Sequence, residues 1–135
     1  MGIIRGGDAE YEEFEPSYKE KAEKLETIIK QLLEERSDSL KLSGKYIATD
    51  EVNIIGNYSP MKSVRLLDLS DNQINDEALK NLFESDILDG LEELYLQINF
   101  LTGKGLSEVA KSENVKLKNL KVLVLSDNRL DDSSI

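Results

Sequence analysis

The chain has 135 residues, 27 Asp plus Glu against 17 Lys plus Arg, and no Cys, His or Trp. Its length fits one domain able to bury about two thirds of its unfolded surface, and the missing residue types exclude disulfides, thiol nucleophiles, cysteine zinc sites and imidazole acid–base chemistry. The net charge of −10 opposes phosphate backbones and anionic lipid, so a protein partner is expected, with no nucleic acid and no membrane.

Residues 1–16 mix Gly2, Gly6 and Gly7 with Asp8, Glu10, Glu12, Glu13 and Glu15, a composition expected to stay loose and flexible. Ile3 and Ile4 are not followed by an apolar run, so no signal peptide is expected, and Gly6 stands where a myristoylation motif wants Ser or Thr. The longest apolar stretch, Val122 to Leu125, is far short of the about 20 residues of a membrane helix. A cytoplasmic location is the expectation.

A helix is predicted over 17–36. Ser17 and Glu20 have the spacing in which each side chain satisfies a free amide of the first turn. Tyr18, Ala22, Leu25, Ile29 and Leu32 step by four and three, Ile28 and Leu33 widen the stripe, and Glu20 with Lys24 and Glu26 with Lys30 are expected to pair on the wet side. The stripe lasts barely two heptads, so it reads as a face for its own domain rather than a coiled coil.

From Ser37 the chain repeats itself. Val64, Leu67, Leu69, Asn72 and Ile74 follow LxxLxLxxNxL, as do Leu91, Leu94, Leu96, Asn99 and Leu101, and then Leu120, Leu123, Leu125, Asn128 and Leu130. The copies start 27 and then 29 residues apart. Stepping back by the first interval reaches a degenerate copy at Ser37, Leu40, Leu42, Lys45 and Ile47. The predicted repeats are 37–63, 64–90, 91–119 and an incomplete 120–135. Within each, the paired leucines flank one residue and so share a face of a short strand. Beyond the asparagine the apolar period lengthens, as in Ala78, Leu79, Leu82 and Phe83, which predicts a helix of two or three turns. Asn72, Asn99 and Asn128 sit at inward positions, where an unpaired amide is costly, so their side chains are expected to bond turn backbone of their own and the neighbouring repeat as a structural ladder.

At these residues the chain resembles the leucine-rich repeat family, in the ribonuclease-inhibitor-like class with 27–29 residue repeats. The resemblance covers 37–135 and implies an α/β right-handed solenoid, with a parallel β-sheet on the concave face and helices on the convex face. The 17–36 helix would be its amino-terminal capping helix. It also implies a non-catalytic protein-interaction module, with no cofactor and no metal, that binds a partner of unknown identity on the concave sheet.

On that face the positions between the paired leucines are Lys41, Asp68, Tyr95 and Val124, flanked by Ser39, Leu66, Glu93 and Val122 before and by Ser43, Ser70, Gln97 and Ser126 after. Leu66, Tyr95, Val122 and Val124 are apolar where solvent suits a polar residue. The candidate patch therefore centres on Tyr95, rimmed by Asp68, Glu93 and Gln97. Chemistry is thinly supported. Glu92 and Glu93 alternate in direction, and neither Asp71, Asp76 and Glu77 nor Asp127, Asp131 and Asp132 form a calcium loop. Gly103-Lys104-Gly105 lacks a phosphate-loop frame and reads as a helix start. Some family members regulate a GTPase, but Arg65 and Arg129, the sole arginines of the repeats, match no such pattern. The fourth copy stops at Ile135, which leaves an open apolar end and two expectations: either the sequence is part of a longer protein, or the end pairs with another molecule, as in a self-associating scaffold that forms a homodimer through it.

Overall fold

The computed structural model describes residues 16–130. The acidic segment 1–15 and the tail 131–135, with Asp131, Asp132 and Ile135, lie outside the described residues.

Helix α1 spans Tyr18–Glu35. Ser17 caps it: the Glu20 N–H donates to Ser17 Oγ at 3.2 Å and the Ser17 N–H donates to Glu20 Oε1 at 2.9 Å. The Ser17 backbone N–H first, and the Ser17 hydroxyl second, hold the Glu20 carboxyl below the usual carboxylate range. The expected pairs Glu20 with Lys24 and Glu26 with Lys30 are not among the ion pairs formed, because the cap claims Glu20 and the Glu26 side chain is half-buried. Leu25 and Ile29 of the apolar stripe are buried in the same core as the repeats.

Four three-residue strands follow, β1 (Ser39–Lys41), β2 (Leu66–Asp68), β3 (Glu93–Tyr95) and β4 (Val122–Val124). They form one parallel sheet in chain order. Leu40, Leu67, Leu94 and Leu123 stand in register on successive rungs, which is what an inward leucine recurring every 27 to 29 residues requires. The ladder runs on beyond the strands: the N–H groups of Leu42, Leu69 and Leu96 donate to the carbonyls of Asp68, Tyr95 and Val124 at 2.8, 2.9 and 2.9 Å.

Each of the first three rungs returns through a helix: α2 (Thr49–Asn57), α3 (Asp76–Phe83) and α4 (Gly103–Lys111). Asn75 caps α3 and Thr102 caps α4 through their side-chain oxygens, whereas at α2 the Glu51 carboxylate reaches back to the Ala48 N–H at 3.0 Å. The helices pack in a row, α1 on α2, α2 on α3 and α3 on α4. Two 3₁₀ turns, Ser59–Ser63 and Ile87–Gly90, were not part of the predicted repeat; they bury Met61 and Leu88 and lead the chain back to the next strand. Leucines, isoleucines and valines of α1 and the first three rungs fill the layer between sheet and helices as one core, with Leu120, Leu125 and Leu130 of the fourth partly buried against it. At about 1.5–3 kcal/mol for each fully buried side chain, this shared layer is the main driving force for folding. The architecture is an α/β solenoid. None of the described helices is long and apolar enough to cross a membrane.

Candidate functional site

The asparagines tie each rung to the one before it, which holds the strands of the sheet in register. Asn72 Oδ1 accepts from the N–H groups of Lys45 and Ile47, both at 2.9 Å, and its Nδ2 donates to the carbonyls of Leu42, Leu69 and Ser70. Asn99 accepts from Ile74 and donates to Leu69, Leu96 and Gln97; Asn128 accepts from Leu101 and donates to Leu96, Leu125 and Ser126. Each amide therefore bonds its own rung and the preceding one. The residue before each asparagine, together with Gly44 on the first rung, adopts a left-handed backbone: Gly44, Asp71, Ile98 and Asp127 all have φ between 55° and 66°.

On the outer face the register sets two rows. Ser39, Leu66, Glu93 and Val122 form one, and Lys41, Asp68, Tyr95 and Val124 the other. Leu66, Tyr95 and Val124 are half-buried by their neighbours, and Val122 is the most exposed of the four apolar positions at 38 %. The face changes character along the stack. It is polar and cationic at the first rung, acidic at Asp68 and Glu93, and aliphatic at the fourth.

Tyr95 and Glu93 act as one unit. The Tyr95 hydroxyl donates to Glu93 Oε1 at 2.5 Å, so Glu93 is engaged rather than a free rim charge. Asp68 Oδ1 accepts from the Ser70 N–H at 2.9 Å, and the Ser70 hydroxyl donates to Ser43 Oγ at 3.1 Å. Gln97 Oε1 is buried and accepts no hydrogen bond from the described residues. Beside the patch a cavity of about 360 Å³ is lined by Arg36, Lys41, Arg65, Leu66 and Glu93, among others.

The hydrogen bond to Glu93 is the first reason that the Tyr95 phenol is held above the ordinary tyrosine range; burial and the negative charges of Glu93 and Asp68 add to it. With the folded value raised, the associated stability is complete below the ordinary phenol pKa and is lost as pH rises through the folded one. In an alkaline titration followed by absorbance, the Tyr95 contribution, isolated by difference against Tyr95→Phe, should rise above the ordinary phenol range. Glu93→Gln should bring it earlier. A Tyr95 step that stays where it is on Glu93→Gln contradicts the contact.

Among the described residues, no group of acidic side chains is arranged to hold a metal ion. Glu92 pairs with Lys121 at 3.7 Å while Glu93 takes Tyr95, so the two carboxylates do not converge. Asp76 accepts from the Thr102 N–H at 3.0 Å and its hydroxyl at 2.6 Å. A Cβ on Gly105 would run into that same carboxylate, so this glycine serves the close approach of α4 to the preceding rung. Gly103 opens α4.

Two features of the structure carry no signal in the repeat pattern of leucines and asparagines. On the helix side, Ser85 Oγ donates to the Gly56 carbonyl at 2.6 Å and Asn81 bonds Asn53 at 2.9 Å, beside a cavity of about 460 Å³. On the rim, Tyr46 and Phe100 are exposed aromatics in equivalent positions, a coincidence visible in the repeat alignment once the residue after each asparagine is compared.

A family model described as leucine rich repeat matches residues 61–83 and 116–135. No curated protein matches the chain. Among solved structures, an internalin from Listeria monocytogenes is 27% identical over 70% of this chain, with a TM-score of 0.41. The match spans 30% of the length of that internalin chain.

Proposed function

We propose, from the premise that the chain is a leucine-rich repeat protein, that it is a non-catalytic interaction module whose partner docks on the outer, concave face of the sheet. The observation that carries this reading is the pairing of half-buried apolar side chains with fixed charges on one rigid face. Tyr95, Val122 and Val124 offer the apolar contact, Leu66 extends it, and Asp68 and Glu93 with Gln97 supply polar anchors. Such a mixed face suits a partner strip that sets aliphatic or aromatic side chains on the fourth rung and a basic group over Asp68. Aromatic residues surrounded by a polar rim carry most of the energy in interfaces of this kind.

The test is partner capture from lysate of the source cells, by the wild-type chain and by Tyr95→Ala combined with Val124→Ala. The double variant should lose the captured proteins while its melting temperature stays within a few degrees, since neither side chain belongs to the buried core. Capture that persists unchanged rejects the sheet patch.

A further inference from the structure

A second surface lies outside the sheet patch, in the column one residue past the asparagine position. Tyr46, Gln73, Phe100 and Arg129 are equivalent on the four rungs. The N–H groups of Gln73, Phe100 and Arg129 donate to the carbonyls of Ile47, Ile74 and Leu101 on the preceding rung at 2.8, 2.9 and 2.8 Å, so the column runs along the rim where strands turn toward helices. Two of its members are wet aromatics: Tyr46 is 78 % exposed and Phe100 46 %. They are two rungs apart with Gln73 between them, and a cavity of about 290 Å³ is lined by Gly44, Tyr46, Asp71, Asn72, Gln73 and Phe100.

The lining states which chemistry fits. Two rung spacings amount to about 9–10 Å, and one flat group in contact with a ring on either side needs about 7–8 Å. Asp71 supplies a carboxylate with no hydrogen-bond or ion-pair partner among the described residues. Phe100 already holds a cation, since the Arg129 guanidinium lies 5.4 Å from its ring centroid. Arg129 belongs to the rung after Phe100, whereas the rest of the cavity wall comes from rungs before it, so the cavity is a separate place. Tyr46 has φ of +59°, a left-handed conformation that its equivalents Gln73, Phe100 and Arg129 do not share. A bulky residue pays for that backbone, and an exposed ring recovers little of the cost by packing. The charge of −10 draws cations toward the whole molecule.

We propose that this rim slot receives an arginine side chain from a basic segment of a protein partner. The guanidinium lies between the Tyr46 and Phe100 rings and donates to the Asp71 carboxylate. Arginine fits better than lysine because its planar head both stacks on aromatic faces and forks onto a carboxylate. The slot is independent of the sheet patch and stands or falls separately from it.

The experiment titrates the full chain with acetyl-Gly-Arg-Gly-amide and with its glutamine counterpart, and follows the aromatic ring signals by NMR. The arginine peptide should give saturable shifts at Tyr46 and Phe100, and the glutamine peptide none. Asp71→Asn and Tyr46→Ala should each weaken binding by about threefold or more, while Tyr46→Phe retains it. All three substitutions are at exposed side chains, and the Tyr95→Ala, Val124→Ala protein should still bind the arginine peptide. The proposal is overturned by the absence of saturable shifts at the two rings, by unchanged affinity in Asp71→Asn, or by equal weakening of the ring-detected affinity in Asp38→Asn or Asp89→Asn.

Discussion

Replacing Asn72 by Ala should destabilise the chain by about 3 kcal/mol, at about 1–3 kcal/mol for each buried backbone group left without a partner. The side chain is buried and makes five hydrogen bonds to backbone, two accepted and three donated, and it bridges the first and second rungs. Alanine leaves the Ile47 N–H and the Leu42 carbonyl without their partner, while the Leu69 carbonyl keeps the bond from Asn99. Asn72→Asp should rescue little, since it keeps the acceptor but loses the donor and sets a carboxylate against carbonyl oxygens. Asn128→Ala should cost less, about 1 kcal/mol, because that side chain is half-exposed and water can replace part of what it supplies. Urea denaturation measures the series. Equal costs at Asn72 and Asn128 would mean that the amides act through local turn geometry alone.

The same asparagines show why so much of this fold was legible. A strand of three residues carries almost no periodic signal of its own, yet four of them spaced 27 to 29 residues apart reinforce one another. The asparagine bonds that join the rungs fall between residues 25 to 32 apart, as with Ile74 to Asn99 and Asn128 to Leu96. The repeat length is therefore written into the hydrogen bonds as well as the leucines. The Ser17 to Glu20 cap was equally readable, because its two partners are three residues apart. Reading failed where an interaction depended on competition or on the path between elements. Glu20 could pair forward with Lys24 or cap backward onto Ser17, and spacing alone does not rank the two. The 3₁₀ turns around Met61 and Leu88 are set by how far the return must travel, which no local pattern encodes. The outward rows of the sheet were placed correctly by alternation, but not the bond from Tyr95 to Glu93, which depends on a rotamer. The rim aromatics went unread because attention to leucines hides the residues that lie just beyond the asparagine.

Leu94→Ala should cost about 4 kcal/mol, within the about 2–5 kcal/mol that emptying a fully packed leucine site produces, whereas Leu123→Ala should cost under about 1 kcal/mol. The two leucines occupy the same place in adjacent repeats and pair in register. They differ in cover: Leu94 is fully buried between rungs on both sides, and Leu123 is 38 % exposed. In a solenoid each rung is held only by its neighbours, so a cavity at Leu94 loosens the attachment of everything after it. Amide exchange in β4 should accelerate more than in β1 when Leu94 is truncated, and the two should respond alike if the core were one undivided cooperative unit. The comparison with Leu123 carries a further consequence. If Leu123→Ala proves as costly as Leu94→Ala, the face of the fourth rung is buried in solution by something other than the described residues, and the cost should then fall on dilution if the covering surface is a second copy. If the cost stays small at every concentration, the fourth rung is wet in this chain and self-association through it is rejected.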